Sequence, residues 1–500
     1  MSFFKTWNEL DFNARVSYLF EDSHFESAGG YGRGFDFEDF PSFVIIPDEN
    51  SYFRTRVEDI KAENVFAIAS FTFKDRYILD GLFRNDGSSL FGKDERRHNY
   101  YRISGAYRIS EDIKIPGVKE LKLRGAIGGS GQRPSFEMQY ETYKKVAGVY
   151  EKNTLGNREL KPSQSQEIEL GMDVSFLKRF YLEATYSKTT TSEQFLKVPL
   201  LVNQYGFAYQ WRNAGELETK TFEAMLQANI IKTDNLQWDM RFTFDKTSSK
   251  ITKLDFPEYR TGPQSSFYIK EGEAYGIMYG RKFVRSIQQM REQLSENDNI
   301  SNYKLNSEGY VIRANSQGTK NETPILIKDK NGNPVTEKIG DINPDFRMGI
   351  SSDLAYKNFN FHMLWKWKQG GDLYNSTAQK MVNHNRHPIM DQYGKAPEKM
   401  KTIDYYLGFY DSQSINEFWV EDGTYLRLAE ASINYTFTKD NLGKLGQYVN
   451  GIKLGIIGKN LLTFTNYSGY DPEVTSSGYA FDNNGYPNFT TYSFSVGIEF

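Results

Sequence analysis

The last nine residues, Tyr492-Ser-Phe-Ser-Val-Gly-Ile-Glu-Phe500, place an apolar side chain at every second position. Tyr492, Phe494, Val496, Ile498 and Phe500 form one set, and Ser493, Ser495, Gly497 and Glu499 the other. Successive side chains of a strand point to opposite faces, so this segment has one wholly apolar face and one polar face. A chain ending on an aromatic in such a strand is the expected end of an outer-membrane β-barrel, where the final strand meets lipid on one side and an aqueous lumen on the other. A soluble sandwich can also end on an alternating strand, so the rest of the chain has to carry the same signal.

It does. The 500 residues include 34 Tyr and 37 Phe, yet the mean hydropathy is −0.63. Apolar residues run in single-file alternation along the chain instead of collecting into core segments, the balance of a barrel with a polar interior and large polar loops. No stretch of about 18 apolar residues offers a transmembrane helix. The net charge of −3 points to neither nucleic acid nor anionic lipid as a partner. With no Cys, a disulfide scaffold and a Cys-ligated metal are excluded.

Period-two alternation marks about fourteen strands. They lie at 12–20, 64–73, 76–84, 99–109, 120–127, 165–175, 179–188, 219–230, 236–246, 345–356, 358–368, 424–437, 449–460 and 490–500. Tight turns are expected at Lys74-Asp75, Phe176-Leu-Lys178, Lys232-Thr-Asp-Asn235 and Lys357. Long loops are expected at 21–63, 128–164, 189–218, 247–344, 369–423 and 461–489. Short and long connections alternate, as periplasmic turns and extracellular loops do. That parity puts Phe500 at the periplasmic rim. The 247–344 loop is too long for structureless padding, so a small cap, a partner-binding segment or partial disorder are its alternatives. Within it, Asp329-Lys-Asn-Gly-Asn-Pro reads as a hairpin turn at Asn331-Gly332 and not as a calcium loop, because Gly340 stands where an EF-hand needs its last acidic ligand. His384 and His387 have metal-ligand spacing but no companion carboxylate motif, and read as loop residues. No catalytic motif stands out, so neither an enzyme nor a cofactor site is expected.

Several segments resemble the SusC/RagA family of TonB-dependent outer-membrane transporters of Bacteroidetes-type bacteria. They are Arg84-Asn-Asp-Gly-Ser-Ser-Leu-Phe91, Leu121-Lys-Leu-Arg-Gly-Ala-Ile-Gly128, Asn157-Arg-Glu-Leu-Lys-Pro162 and Asn213-Ala-Gly-Glu216. Further along come Gly340-Asp-Ile-Asn-Pro-Asp-Phe346, Gly370-Gly-Asp-Leu-Tyr374, Val420-Glu-Asp-Gly-Thr-Tyr-Leu-Arg-Leu428, Asn460-Leu-Leu-Thr-Phe-Thr-Asn-Tyr467 and Gly469-Tyr-Asp-Pro-Glu-Val474. They stand in the family's order over almost the whole chain; Pro162 departs from it, replacing a usual aromatic.

The resemblance implies an all-β transmembrane antiparallel barrel. Residues 1–500 would be its C-terminal portion, about fourteen strands of a twenty-two-stranded wall, without plug. Met1-Ser-Phe-Phe-Lys-Thr-Trp-Asn-Glu-Leu has no basic leader, long apolar stretch or cleavage site, so a fragment is expected. Strands that are not neighbours in an intact barrel would then have to re-pair or find partners, since unpaired backbone groups at membrane depth cost several kcal/mol each. The resemblance also implies glycan or peptide import across the outer membrane, driven through the TonB complex, with a SusD-like surface lipoprotein as a lid. A siderophore or vitamin receptor, and a non-transporting surface or remnant barrel, are the alternatives. Tyr205, Tyr209 and Trp211 are candidate ligand or lid contacts in the 189–218 loop, or else loop-packing or girdle aromatics. Tyr492, Phe494, Val496, Ile498 and Phe500 are the expected outer-membrane assembly signal.

Overall fold

The computed structural model describes residues 1–500 except 35–41, 43, 45, 48–49, 147–148, 412–413 and 476–479. The long strands are β1 (Ser2–Trp7), β2 (Leu10–Gly32), β3 (Ser51–Phe73), β4 (Tyr77–Ser88), β5 (Arg97–Arg108), β6 (Val118–Gln132), β7 (Ser163–Phe176) and β8 (Phe180–Pro199). They continue with β9 (Tyr209–Lys232), β10 (Leu236–Lys253), β11 (Pro344–Tyr356), β12 (Phe359–Gly370), β13 (Tyr425–Thr438), β14 (Gly451–Thr465) and β15 (Thr491–Glu499). All fourteen strands expected from alternation are present, and β1 is an addition. The chain divides into two compact units, one of residues 1–112, 122–170 and 188–217, the other of 113–121, 171–187 and 218–500.

In the second unit, β10 to β15 pair antiparallel in a fixed register. One row runs Trp238, Leu354, Phe361, Ile433, Ile456, Phe494 across six strands. The next row on the same face runs Leu236, Tyr356, Phe359, Tyr435, Leu454, Val496. Between them, on the other face, lies Gln237, Ala355, Asn360, Asn434, Gly455, Ser495. A slip of one residue would turn a strand's apolar set to the wrong face, so a strictly two-faced sheet fixes its own register. The apolar face is open: Phe494 is 80% exposed and Ile456 49%. Large apolar side chains left uncovered in ranks are the mark of a surface made for a non-aqueous neighbour.

The first unit repeats the pattern. Phe12, Phe71 and Leu79 share one face, while Asn13, Ser70, Asp80 and Ser104 share the other. The tight turn between β3 and β4 holds Lys74 and Asp75 both at positive φ, 56° and 55°. Two successive residues in this left-handed region fit the turn to the right-handed twist of the strands it joins. Leu177 and Lys178 (φ 49° and 59°) turn the chain between β7 and β8 in the same way, and Lys357 (φ 50°) lies between β11 and β12.

The long loops are where the structure departs from expectation. β2 and β3 stay paired from Leu10↔Phe73 as far as Gly32↔Ser51, so most of the expected 21–63 loop is a two-stranded ribbon. The expected 189–218 loop shrinks to the residues between Pro199 and Tyr209. The 128–164 region contains a hairpin of Thr142–Val146 with Val149–Leu155. The 247–344 and 369–423 segments fold onto each other around Tyr374, Tyr405, Tyr406, Phe409 and Trp419, all buried. At the edge of this cap Glu308 accepts from the hydroxyls of Tyr405 (2.9 Å) and Tyr406 (3.1 Å). Lys401 and Glu322 form a wholly buried ion pair at 2.5 Å. The Asn331-Gly332 turn forms as expected, with the Asp329 carboxylate accepting from the N–H groups of Asn331 and Asn333, each at 2.9 Å.

Candidate functional site

Three of the four earlier motifs meet in space at one junction, in the first unit, and the five later ones at another, in the second. In the first, the 84–91 segment ends β4 and buries Leu90 and Phe91, while Leu160 of the 157–162 segment is 1% exposed. The two are joined by the Gly92 N–H donating to the Leu160 carbonyl at 3.1 Å. A Cβ at Gly92 would stand 3.0 Å from the Arg158 carbonyl, so glycine eases the close approach of these two segments. Asn213, the head of the fourth motif, accepts from the Lys161 N–H and donates to the Lys161 carbonyl, both at 2.8 Å, then donates to the Glu193 carbonyl at 2.9 Å. One amide thus satisfies three backbone groups of two other segments.

The candidate aromatics sit beside this junction. Tyr209 and Trp211 belong to strand β9, which corrects the expectation that they lie in a loop: the backbone ladder continues beyond the region where alternation is enforced. Tyr205 ends a one-turn helix, Val202–Tyr205, and is exposed. Tyr209 is 37% exposed with the Lys197 ammonium 4.9 Å from its ring centre. Trp211 is half-buried, and its carbonyl accepts from Asn157 at 2.9 Å. Tyr209 and Trp211 share a strand face two residues apart; Tyr205 stands apart on its helix.

The second junction gathers the five later motifs. Residues 372–374 pair antiparallel with 420–422. Asp372 accepts from the Asp341 N–H at 2.8 Å, and Gly370 N–H donates to the Thr424 hydroxyl at 2.9 Å. Glu421 accepts from Asn375 at 2.8 Å and from both the backbone (2.7 Å) and hydroxyl (2.8 Å) of Ser468. Arg427, 2% exposed, is the centre: it donates to Asp471 at 2.5 Å, Glu473 at 2.7 Å and Thr463 at 3.1 Å. Burial pushes the Asp471 carboxyl up, but the hydrogen bonds from Arg427 and from the Glu473 and Asn488 N–H groups outweigh it and leave the group below the ordinary carboxylate value. A carboxyl held low contributes stability above its unfolded pKa and loses it as the pH falls through the folded value. Residues 469–475 and 480–488 are therefore expected to stay protected at neutral pH and to lose hydrogen-exchange protection below about pH 4, the unfolded carboxylate range. Exchange measured at pH 7 and pH 3 checks this, and Asp471→Asn should remove most of the difference.

Beside the second junction, on the polar face, lies a recess of about 650 Å³. Arg347, Lys366 and Lys368 project into it, and Glu473 closes one side. A second recess, of about 630 Å³, lies on the polar face of the first unit and is lined by Asp80, Arg102, Arg124 and Glu169. Neither the junctions nor these recesses were visible in the sequence, where each motif is a separate stretch of polar residues. His387 accepts from the Ile389 N–H, and burial lowers its pKa, so it acts as a cap of the local turn.

Comparisons with known proteins agree with this architecture. The family model described as TonB dependent receptor-like, beta-barrel matches residues 2–283. TonB-dependent receptor P3 of Formosa agariphila is 26% identical over 474 residues, covering 87% of this chain and 45% of the relative. TonB-dependent receptor SusC of Bacteroides thetaiotaomicron is 23% identical, covering all of this chain and 49% of the relative. The chain thus spans about half the length of the curated relatives it matches. A solved structure of the RagAB peptide transporter superposes with a TM-score of 0.76 at 18% identity, over 99% of this chain and 54% of that one.

Proposed function

The chain belongs to the family of TonB-dependent receptor-like β-barrels, and from that premise we propose that it forms the C-terminal barrel wall and outer loops of an importer for oligosaccharides or peptides. Its place is the outer membrane, as for the SusC-type receptors it is similar to. In this reading TonB supplies the energy for uptake, and a SusD-like surface lipoprotein covers the outer loops. The open apolar rows of the second unit face lipid hydrocarbon, and the polar row between them faces the lumen. Those rows, registered across six strands from Trp238 to Phe494, are the observation that carries the proposal. A wall of this kind does no bond chemistry; its work is to hold a wide polar passage and to position the loops above it. Tyr209 and Trp211, on one strand face, are proposed contacts for the solute or for the lipoprotein lid.

Fractionation of cells that make the protein from its natural gene tests the reading. The full protein is expected in the outer membrane with slower gel mobility after heating. Deletion of Phe500 should lower that yield several-fold, because the terminal aromatic completes the apolar set of β15. Tyr205→Ala should leave the yield unchanged. Equal yields for the Phe500 deletion and the intact protein would count against the membrane-wall assignment.

A further inference from the structure

Beyond its neighbours, the β2–β3 ribbon runs on without a third strand. β4 leaves β3 at Ala62↔Ser88. The last tie at that level is Lys61, whose N–H donates to the Ser89 hydroxyl at 3.0 Å and whose carbonyl accepts from the Ser89 N–H at 2.8 Å. From there β3 continues away from the Lys74-Asp75 turn as far as Ser51. That is about 37 Å at 3.4 Å per residue. Among the described residues no strand pairs with its edge away from β2 over 54–60. A two-stranded ribbon alone is marginally stable in water and needs a packed face to persist.

The two faces of this ribbon differ in kind. Within the wall the large apolar side chains of β2, from Phe12 to Phe20, take the lipid side. On the ribbon, Phe25 and Tyr31 take the opposite face, the one that continues from Asn13 and Ser70. Tyr31 stands directly across from Tyr52, and the two are 64% and 61% exposed. On the same face Arg54 lies across from Gly29, where a Cβ would meet nothing within 4 Å. Arg56 pairs with Glu58 and lies 5.9 Å from the centre of the Phe25 ring. The other face, continuing the lipid side, carries Asp22 with Lys61 at 3.4 Å, His24 with Asp59 at 2.7 Å, and Glu26, with Val57 and Phe53 as its large apolar members.

Tyrosine and arginine side by side make the composition of a protein–protein contact centre. A small solute cannot cover a strap of this length. A lipid surface would meet the face that continues the lipid side, and there Asp22, Glu26 and Asp59 repel anionic headgroups. What fits is a protein seated against the face that continues the lumen side. Resting on the import reading above, we propose that this face of the ribbon is a docking strap for the lipoprotein lid, with Tyr31 and Tyr52 as its anchors and Arg54 meeting a carboxylate of the lid.

Photo-crosslinking in cells that make the full protein together with its SusD-like lipoprotein tests this. Benzoylphenylalanine in place of Tyr31 or Tyr52 is expected to give a lipoprotein adduct, identified by mass spectrometry, at least about fivefold more abundant than the same label in place of His24 or Asp59. Equal yields from the two faces, adducts only within the chain, or adducts to lipopolysaccharide would overturn the assignment. In detergent micelles the double variant Tyr31→Ser with Tyr52→Ser should weaken lipoprotein binding about tenfold or more, the loss expected for contact-centre side chains. Arg54→Glu should weaken it to a similar degree, and Asp59→Asn should leave it within about twofold. Outer-membrane yield of each variant reports whether its wall has assembled. If the unsubstituted protein holds the lipoprotein and the assembled double variant holds it equally well, this inference alone falls. If the unsubstituted protein holds no such lipoprotein, the lid of the import reading falls with it.

Discussion

Arg427→Leu is expected to destabilise the protein by about 3–5 kcal/mol, the usual cost of removing one partner from a buried charge cluster. Leucine preserves most of the apolar stem but deletes every donor. Asp471 would lose its guanidinium partner at 2.5 Å while remaining 6% exposed. Glu473 would suffer less, since it is more exposed and Lys366 still stands 3.7 Å away. The damage should spread to the segments that Arg427 ties together, β13, β14 and the loop after it. Urea unfolding in micelles measures the loss. The double variant Arg427→Leu with Asp471→Asn should be less destabilised than the two single effects summed, because the orphaned charge is then gone. A loss below about 1 kcal/mol in the single variant would place Arg427 among ordinary surface ion pairs and contradict its role as the centre of the junction.

Arginine at position 456 is expected to be nearly as costly, about 2–4 kcal/mol, as for a cation on the lipid face of a barrel strand near mid-membrane. Ile456 lies mid-strand in β14, flanked in its row by Ile433 and Phe494. Asn360→Arg provides the matched comparison. Asn360 belongs to the adjacent polar row and is exposed on the other face. That substitution should change stability by less than about 0.5 kcal/mol, as surface changes generally do. A soluble sheet would give small effects at both positions if both faces met water.

The sequence made the wall legible because lipid imposes a rule on every second residue. Phe12, Ala14, Val16, Tyr18 and Phe20 obey it, and the strand there was plain. The same strand runs on to Gly32, but Glu21, Asp22 and His24 no longer alternate in the required way. The backbone ladder there persists without an apolar face to enforce, so hydrogen bonding continues after the sequence signal stops. Tyr209 and Trp211 were misplaced for the same reason. β1 was missed because Lys5 interrupts the apolar set of Phe3 and Trp7, leaving too short a pattern to read.

The junctions were legible only as words in order. Nothing in Asn213-Ala-Gly-Glu216 says that its first amide will hold Lys161 and Glu193. Likewise Arg427 reads as one more polar-face arginine on β13, and its partners Asp471 and Glu473 come from the segment after β14. Local pattern specifies which face a residue takes; the company it keeps there depends on long-range closure, which one sequence does not display.

The lipid-facing wall is tested most directly by a spin-label scan of β15. Residues 1–500 contain no cysteine, so single cysteines placed from Thr491 to Glu499 meet no native thiol within this chain. With the full protein in bilayers, labels at positions 492, 494, 496 and 498 should be relaxed mainly by oxygen dissolved in the hydrocarbon. Labels at 493, 495 and 497 should respond mainly to a water-soluble nickel chelate. Accessibility to the two agents should therefore alternate in antiphase along the strand. Uniform access of the nickel chelate to both sets would contradict the account.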